Sequence, residues 1–152
     1  MRKLNLGCGP KPLEGYINID LVKEFNPDIV RNIERGLPFD DNSVDEIFTS
    51  HFLEHIDPDL IHFVMYEIWR VCKHGAEVSI IVPIGNGWSN SPEHKCPFNA
   101  HSDVFFTKWN YPILTGYNYK LKEKSIFRAS VNDLEDSDGY GDELHMVLEV
   151  IK

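Results

Sequence analysis

Two glycines and one acid in this chain have the types and spacing to hold a nucleoside. The apolar run Leu4-Asn5-Leu6 turns through Gly7-Cys8-Gly9-Pro10, and a second apolar run carries Asp20 near its end. In an open α/β sheet both features fall at the carboxyl ends of neighbouring strands, where such folds bind ligands. Glycine lets a ligand approach the backbone, and a carboxylate can accept two hydrogen bonds from a ribose diol. Together they read as a site for an adenosine-containing cofactor. A dinucleotide fits poorly, because its fingerprint needs a third glycine and an acid about 20 residues on. Here Gly9 is followed by Pro10-Lys11-Pro12 and Asp20 comes early, so a nicotinamide-dependent oxidoreductase fails on spacing. A phosphate-cradling lysine-serine pair is absent too.

The elements that must position these residues alternate in type. Strands are expected at 3–8, 16–21, 29–33, 44–50 and 76–84, followed by a pair at 117–130 and 144–151 with a loop at 132–142 between them. The first two links are short. About ten residues can reach some 33 Å when extended, enough for a parallel return but not for a crossover helix. One helix is well marked: Asp57-Pro58-Asp59 opens it, apolar residues recur at helical spacing from Leu60 to Cys72, and Lys73-His74-Gly75 closes it. A second, short helix is expected at 102–109. The stretch 85–101, rich in Asn, Ser and Pro, is long enough for a functional loop.

Composition narrows the partners. The chain has 152 residues, a net charge of −9 and a pI near 5.1. One domain spanning 1–152 is expected, and the acidity disfavours a phosphate backbone as substrate. No run approaches the length of a membrane span, and the start lacks a signal-peptide core. Cys8, Cys72 and Cys96 match no zinc pattern and suit reduced thiols in a cytoplasmic setting.

Four stretches together resemble the small, type 11 class of Rossmann-like methyltransferases that use S-adenosylmethionine. These are residues 4–9, residues 17–20, the run 37–45 that opens Leu37-Pro38-Phe39-Asp40-Asp41 together with Ser50-His51-Phe52-Leu53-Glu54-His55, and the run 67–75 that opens Glu67-Ile68-Trp69-Arg70-Val71. The resemblance implies an α/β, reduced Rossmann-like methyltransferase fold: a mostly parallel sheet with an antiparallel C-terminal strand pair and several usual helices missing. It implies S-adenosylmethionine as cofactor, with Leu6, Gly7, Cys8, Gly9, Asp20, Leu21, Asn32, Ile33, Ser50 and His51 around it. Missing helices would leave one sheet face uncovered. An uncovered apolar sheet face would be unstable in water, so a second copy, making a homodimer through that face, or the carboxyl-terminal segment is expected over it.

Methyl transfer from a sulfonium depends chiefly on alignment, and a base matters only if the acceptor must lose a proton. His51 is the first candidate base, with His94 and His101 on the loop where an acceptor would enter. Trp88 and Phe98 are candidates to wall that entrance or to pack the loop down. No metal is expected, although some related methyltransferases hold one through a Glu-x-x-Glu-His run. The alternative set here is His51, Glu54 and His55, two imidazoles and a carboxylate. The implied acceptor is a small molecule or saccharide; nucleic acid and membrane are disfavoured. A non-catalytic module that binds the cofactor or a nucleoside, in regulation or assembly, is the alternative function.

Overall fold

A computed structural model describes residues 1–85, 91–108, 116–127 and 141–152. Its seven strands are β1 (Lys3–Leu6), β2 (Ile17–Asp20), β3 (Ile29–Val30), β4 (Val44–Ser50), β5 (Cys72–Pro83), β6 (Tyr119–Phe127) and β7 (Glu143–Val150). They form one sheet in the order β3-β2-β1-β4-β5-β7-β6. β1 to β5 pair in parallel, whereas β7 runs antiparallel to both β5 and β6. The strand order reverses between β1 and β4, which places a crevice at their carboxyl ends. The expected architecture is borne out.

Two helices accompany the sheet, α1 (Ile61–Val71) and the short α2 (Asp103–Thr107). No helix among the described residues is long and apolar enough to cross a membrane. Helix α1 buries Ile61, Val64, Met65, Ile68 and Val71, an apolar stripe at helical period. Facing strands supply Leu4, Leu6, Ile19, Ile47, Val78, Ile80, Val82, Leu144, Met146 and Leu148, all essentially buried. The Tyr119 hydroxyl donates to the Met65 carbonyl at 2.7 Å, and Trp69 Nε1 donates to the Ile151 carbonyl at 2.8 Å. These bonds tie one end of the final strand pair, where Tyr119 faces Val150, to α1.

The opposite face is not the apolar surface that was expected to need a cover. Cross-strand register sets Lys3, Glu46, Glu77, Glu149 and Lys120 in one row, and Asn18, Asn5, Phe48, Ser79 and Val147 in the next. Asn5 Nδ2 donates to Asn18 Oδ1 at 2.9 Å, and Lys3 pairs with Glu46 at 2.6 Å. With side chains alternating along each strand, this polar set is the complement of the core set. Its charged residues can meet water directly, while Phe48, Ile81 and Val147 stay partly exposed beside them and Asn5 and Asn18 are buried.

Local differences have local causes. Only two residues of the expected third strand pair, because Asn32 Oδ1 accepts the Glu34 N–H at 2.9 Å and caps a 3₁₀ turn at Ile33–Arg35. Helix α1 starts later than expected, since Asp57 Oδ1 takes the Asp59 N–H into a preceding turn. It also stops before Lys73. Gly75, with φ of 79°, serves β5 instead, where the register jumps from Val44↔Cys72 to Glu46↔Glu77. The glycine signal was real but belonged to a bulge.

Glu67 and Arg70 on α1 clamp the loop that leads into β4. Glu67 Oε2 accepts the Leu37 N–H at 2.9 Å, while Arg70 donates to the carbonyls of Leu37 and Phe39 and to Asp41. The Arg70 hydrogen bond holds the Glu67 carboxyl below its ordinary pKa of 4.5 against the opposing effect of burial. A depressed carboxyl stabilises the fold fully above the unfolded pKa, and that stability is lost as pH falls through the folded value. Glu67→Gln is expected to cost about 2 kcal/mol at neutral pH in urea unfolding, with the difference from wild type shrinking below pH 4.5.

Candidate cofactor cleft and the histidine cluster at its rim

The bend after β1 is bound to the end of β2. Gly7 N–H donates to the Ile19 carbonyl at 2.8 Å, Cys8 N–H shares that carbonyl at 3.2 Å, and Gly9 N–H donates to Asp20 Oδ2 at 2.9 Å. The other oxygen, Asp20 Oδ1, accepts the Val22 N–H at 2.8 Å. Both glycines are left-handed, at φ 66° and 53°. They differ in surroundings: a Cβ on Gly7 would lie 2.3 Å from the Phe52 ring, whereas one on Gly9 would meet nothing within 4 Å. Glycine at position 7 thus makes room for Phe52, and glycine at position 9 leaves open space beside the carboxylate.

That space opens into a cleft of about 600 Å³ lined by Gly7, Gly9, Asp20, Leu21, Asn32 and Ile33 among others, with His51 and His55 at the far wall. Seven of the ten cofactor candidates therefore share one cleft. Cys8 and Ser50 face a neighbouring hollow of about 420 Å³ on the open face, with Gly7, Gly9 and His51 common to both. Leu6 is wholly buried in the core. An adenosine-sized group fits the cleft on two structural grounds. The space a Gly9 Cβ would fill is empty, and an ionised carboxylate has about four lone-pair sites, of which the two backbone bonds use half. The Asn32 amide oxygen is already accepting from Glu34, so its second lone pair or its amide N–H groups are what remain for a base edge.

His51 follows the last residue of β4 in a left-handed conformation, φ 50°, that only glycine adopts without strain. Its Nε2–H donates to Glu143 Oε1 at 3.0 Å, and its Nδ1 lies 3.5 Å from Glu54 Oε1. Burial works against the charged ring, but the Glu54 and Glu143 carboxylates outweigh it and raise the His51 pKa above its usual 6.5. Glu143 also accepts from His145 Nε2 at 2.7 Å. Sequence reasoning missed Glu143 because nothing local marks it. It reaches the site only through the antiparallel register Pro83↔Glu143.

The segment after β5 comes back to the same place. The N–H groups of Lys95 and Cys96 both donate to the Glu54 carbonyl, at 2.7 and 2.9 Å, which brings His94 Nε2 to 4.0 Å from Glu54 Oε1. His55 and His94 meet edge to face with ring centres 4.9 Å apart. Of the three catalytic candidates, His51 and His94 gather here. His101 does not: it lies exposed just ahead of α2, its N–H on Asn99 Oδ1, and lines neither hollow. Phe98 is buried against Phe106 and packs the segment down instead of walling the entrance. Trp88 and nearly all of the 132–142 loop fall outside the described residues.

Residues 15–80 match the sequence profile of a family described as a methyltransferase domain. The whole sheet also matches solved structures. A SAM-dependent methyltransferase from Methanosarcina mazei shares 17% identity and a TM-score of 0.71 over 99% of this chain and 92% of its own. One from Archaeoglobus fulgidus shares 16% identity and a TM-score of 0.67 over 97% of this chain and 85% of its own. The matched stretch and the sheet are thus similar to those of class I methyltransferases, whose cofactor is S-adenosylmethionine. A third neighbour, at 14% identity and a TM-score of 0.70 over 99% of this chain and 82% of its own, comes from a complex between the Haloferax volcanii Trm112 methyltransferase activator and its partner methyltransferase. No curated protein matches in sequence.

The matched region of the methyltransferase domain begins after the glycine bend, so Gly7 and Gly9 stand on geometry. In urea unfolding, Gly9→Ala is expected to cost about 1 kcal/mol, the strain of a left-handed alanine. Gly7→Ala should cost roughly 1–3 kcal/mol more through the clash with Phe52. That excess should disappear in a Phe52→Ala background; equal costs in both backgrounds would contradict the contact.

Proposed function

We propose that residues 1–152 act as one domain that transfers a methyl group from S-adenosylmethionine to a small-molecule or saccharide acceptor. The observation that carries this reading is the Gly9–Asp20 contact at 2.9 Å on the wall of the cleft. In this reading the unused Asp20 lone pairs take the ribose hydroxyls. Leu21, Asn32 and Ile33 flank the adenine, and the backbone of Leu6, Gly7 and Cys8 with Ser50 borders the amino-acid end. The bound cofactor supplies an electrophilic methyl group on a sulfonium. The chain supplies alignment, which can be worth roughly 7–11 kcal/mol. His51 is the base for an acceptor that must lose a proton, its ring aimed by Glu143 and Glu54. His94 stands beside it, and His101 has no role. A net charge of −9 supports a small acceptor over nucleic acid. The buried thiols Cys8, Cys72 and Cys96 suit the cytoplasm.

A module that binds the cofactor without turnover has one feature in its favour: His51 Nε2 is committed to Glu143. A protein activator has another, since Leu21 is 62% and Val30 51% exposed at the β2–β3 edge, and a structural neighbour has the Trm112 activator as partner.

S-adenosylhomocysteine at 100 times its Kd should stabilise the chain by about 2.7 kcal/mol in thermal unfolding. Asp20→Ala should abolish that gain, measured against its own ligand-free baseline. His51→Ala should keep the gain and lower methyl consumption about 10²–10⁴-fold. Binding without methyl consumption on any small-molecule or saccharide acceptor would favour the non-catalytic module.

A further inference from the structure

Glu54 is wholly buried, yet neither of its carboxylate oxygens makes a hydrogen bond among the described residues. A buried carboxylate in that condition is costly unless a cation faces it. Three imidazoles surround it. His51 holds one side at 3.5 Å and is itself anchored on Glu143. On the other side, donor atoms of Glu54, His55 and His94 lie within 4.8 Å of one another. We propose that Glu54, His55 and His94 bind a divalent transition metal of the zinc type at the rim of the cofactor cleft.

The second layer of contacts fits this assignment. His55 Nδ1–H donates to the Glu93 carbonyl at 3.4 Å, which leaves Nε2 to carry the ring's lone pair. Metal-binding imidazoles are usually oriented in this way by a backbone carbonyl or carboxylate on the second nitrogen. His51 would hold the Glu54 carboxylate from behind. The donor set also selects the ion: two imidazoles and one carboxylate suit zinc and its neighbours, whereas calcium and magnesium prefer oxygen alone. Around a tetrahedral zinc, donors about 2.1 Å from the metal sit about 3.4 Å apart. The donors, which lie within 4.8 Å of one another, must therefore draw together by up to about 1.4 Å when the metal binds. Three protein ligands would leave a fourth position open, as in catalytic zinc sites. His55 lines the cleft, so that position lies next to the cofactor space.

The site was only half visible in the sequence. Glu54 and His55 are adjacent, but the third ligand comes from a segment far along the chain, joined to Glu54 by the Lys95 and Cys96 amides. His51, the apparent third member at sequence level, faces Glu143 instead.

The test uses the full chain, stripped with a chelator and titrated with zinc alone, without cofactor, so the outcome is independent of methyl transfer. Metal analysis after dialysis should find about one zinc per chain, and a chromophoric chelator in competition should give its affinity. His55→Ala and His94→Ala should each weaken binding by at least about 100-fold, since even outer contacts cost 10–100-fold. His101→Ala, which removes an exposed histidine outside the cluster, should leave affinity unchanged. Glu54→Gln should lose zinc while its metal-free thermal transition shows that it still folds; should it fail to fold, the two histidine variants decide. Folded wild-type chain that retains no zinc, or His55→Ala and His94→Ala variants that bind as wild type does, would overturn the proposal.

Discussion

The Asp20 carboxylate fastens together the turns that follow β1 and β2. One oxygen holds the Gly9 amide after β1 and the other holds the Val22 amide after β2. Bonds from neutral donors to an ionised acceptor are about twice as strong as neutral pairs, so this contact sets the distance between the two strand ends. The Ile19 carbonyl adds two further bonds from Gly7 and Cys8. Everything at the cleft is measured from that junction. Because the bend is held before any ligand arrives, binding need not order it, and the cost of ordering is what most limits affinity for a small ligand.

Around this junction the domain achieves its fold with unusually little helix. A sheet with helices on both faces would be apolar on both. Here α1 covers one face, and the other carries the Lys3–Glu46 pair and a buried Asn5–Asn18 pair that is bonded on to the Leu13 backbone. Strand alternation separates the two sets, so the missing crossover helices leave only a few apolar side chains, Phe48, Ile81 and Val147, partly exposed. The Glu67–Arg70 clamp then fixes the loop into β4, and with it the strand end that bears His51.

Much of this was legible in the chain. The glycine bend, the acid at the end of β2 and the positions of most strands followed from local signals, because each depends on residues close in sequence. Asn5 and Asn18 were just as local a signal of a polar face, but they were passed over in favour of the apolar residues between them. What the chain concealed came from distant pairing. Glu143 reaches His51 through an antiparallel register, and His94 reaches Glu54 through two backbone bonds, neither of which leaves a motif. Gly75 shows a third kind of miss, a correct glycine signal assigned to a helix end when a strand bulge used it. Phe52, which makes Gly7 obligatory, could not be paired with it before the fold was in hand.

The central claim is that Asp20 faces a nucleoside sugar across the Gly9 bend. A structure of the chain with S-adenosylhomocysteine bound tests it most directly. The account predicts both ribose hydroxyls within hydrogen-bonding range of the Asp20 carboxylate, roughly 2.5–3.2 Å, with the Gly9 and Val22 amides still held. A ligand seated with its ribose elsewhere, and Asp20 bonded to nothing but its own backbone partners, would contradict it.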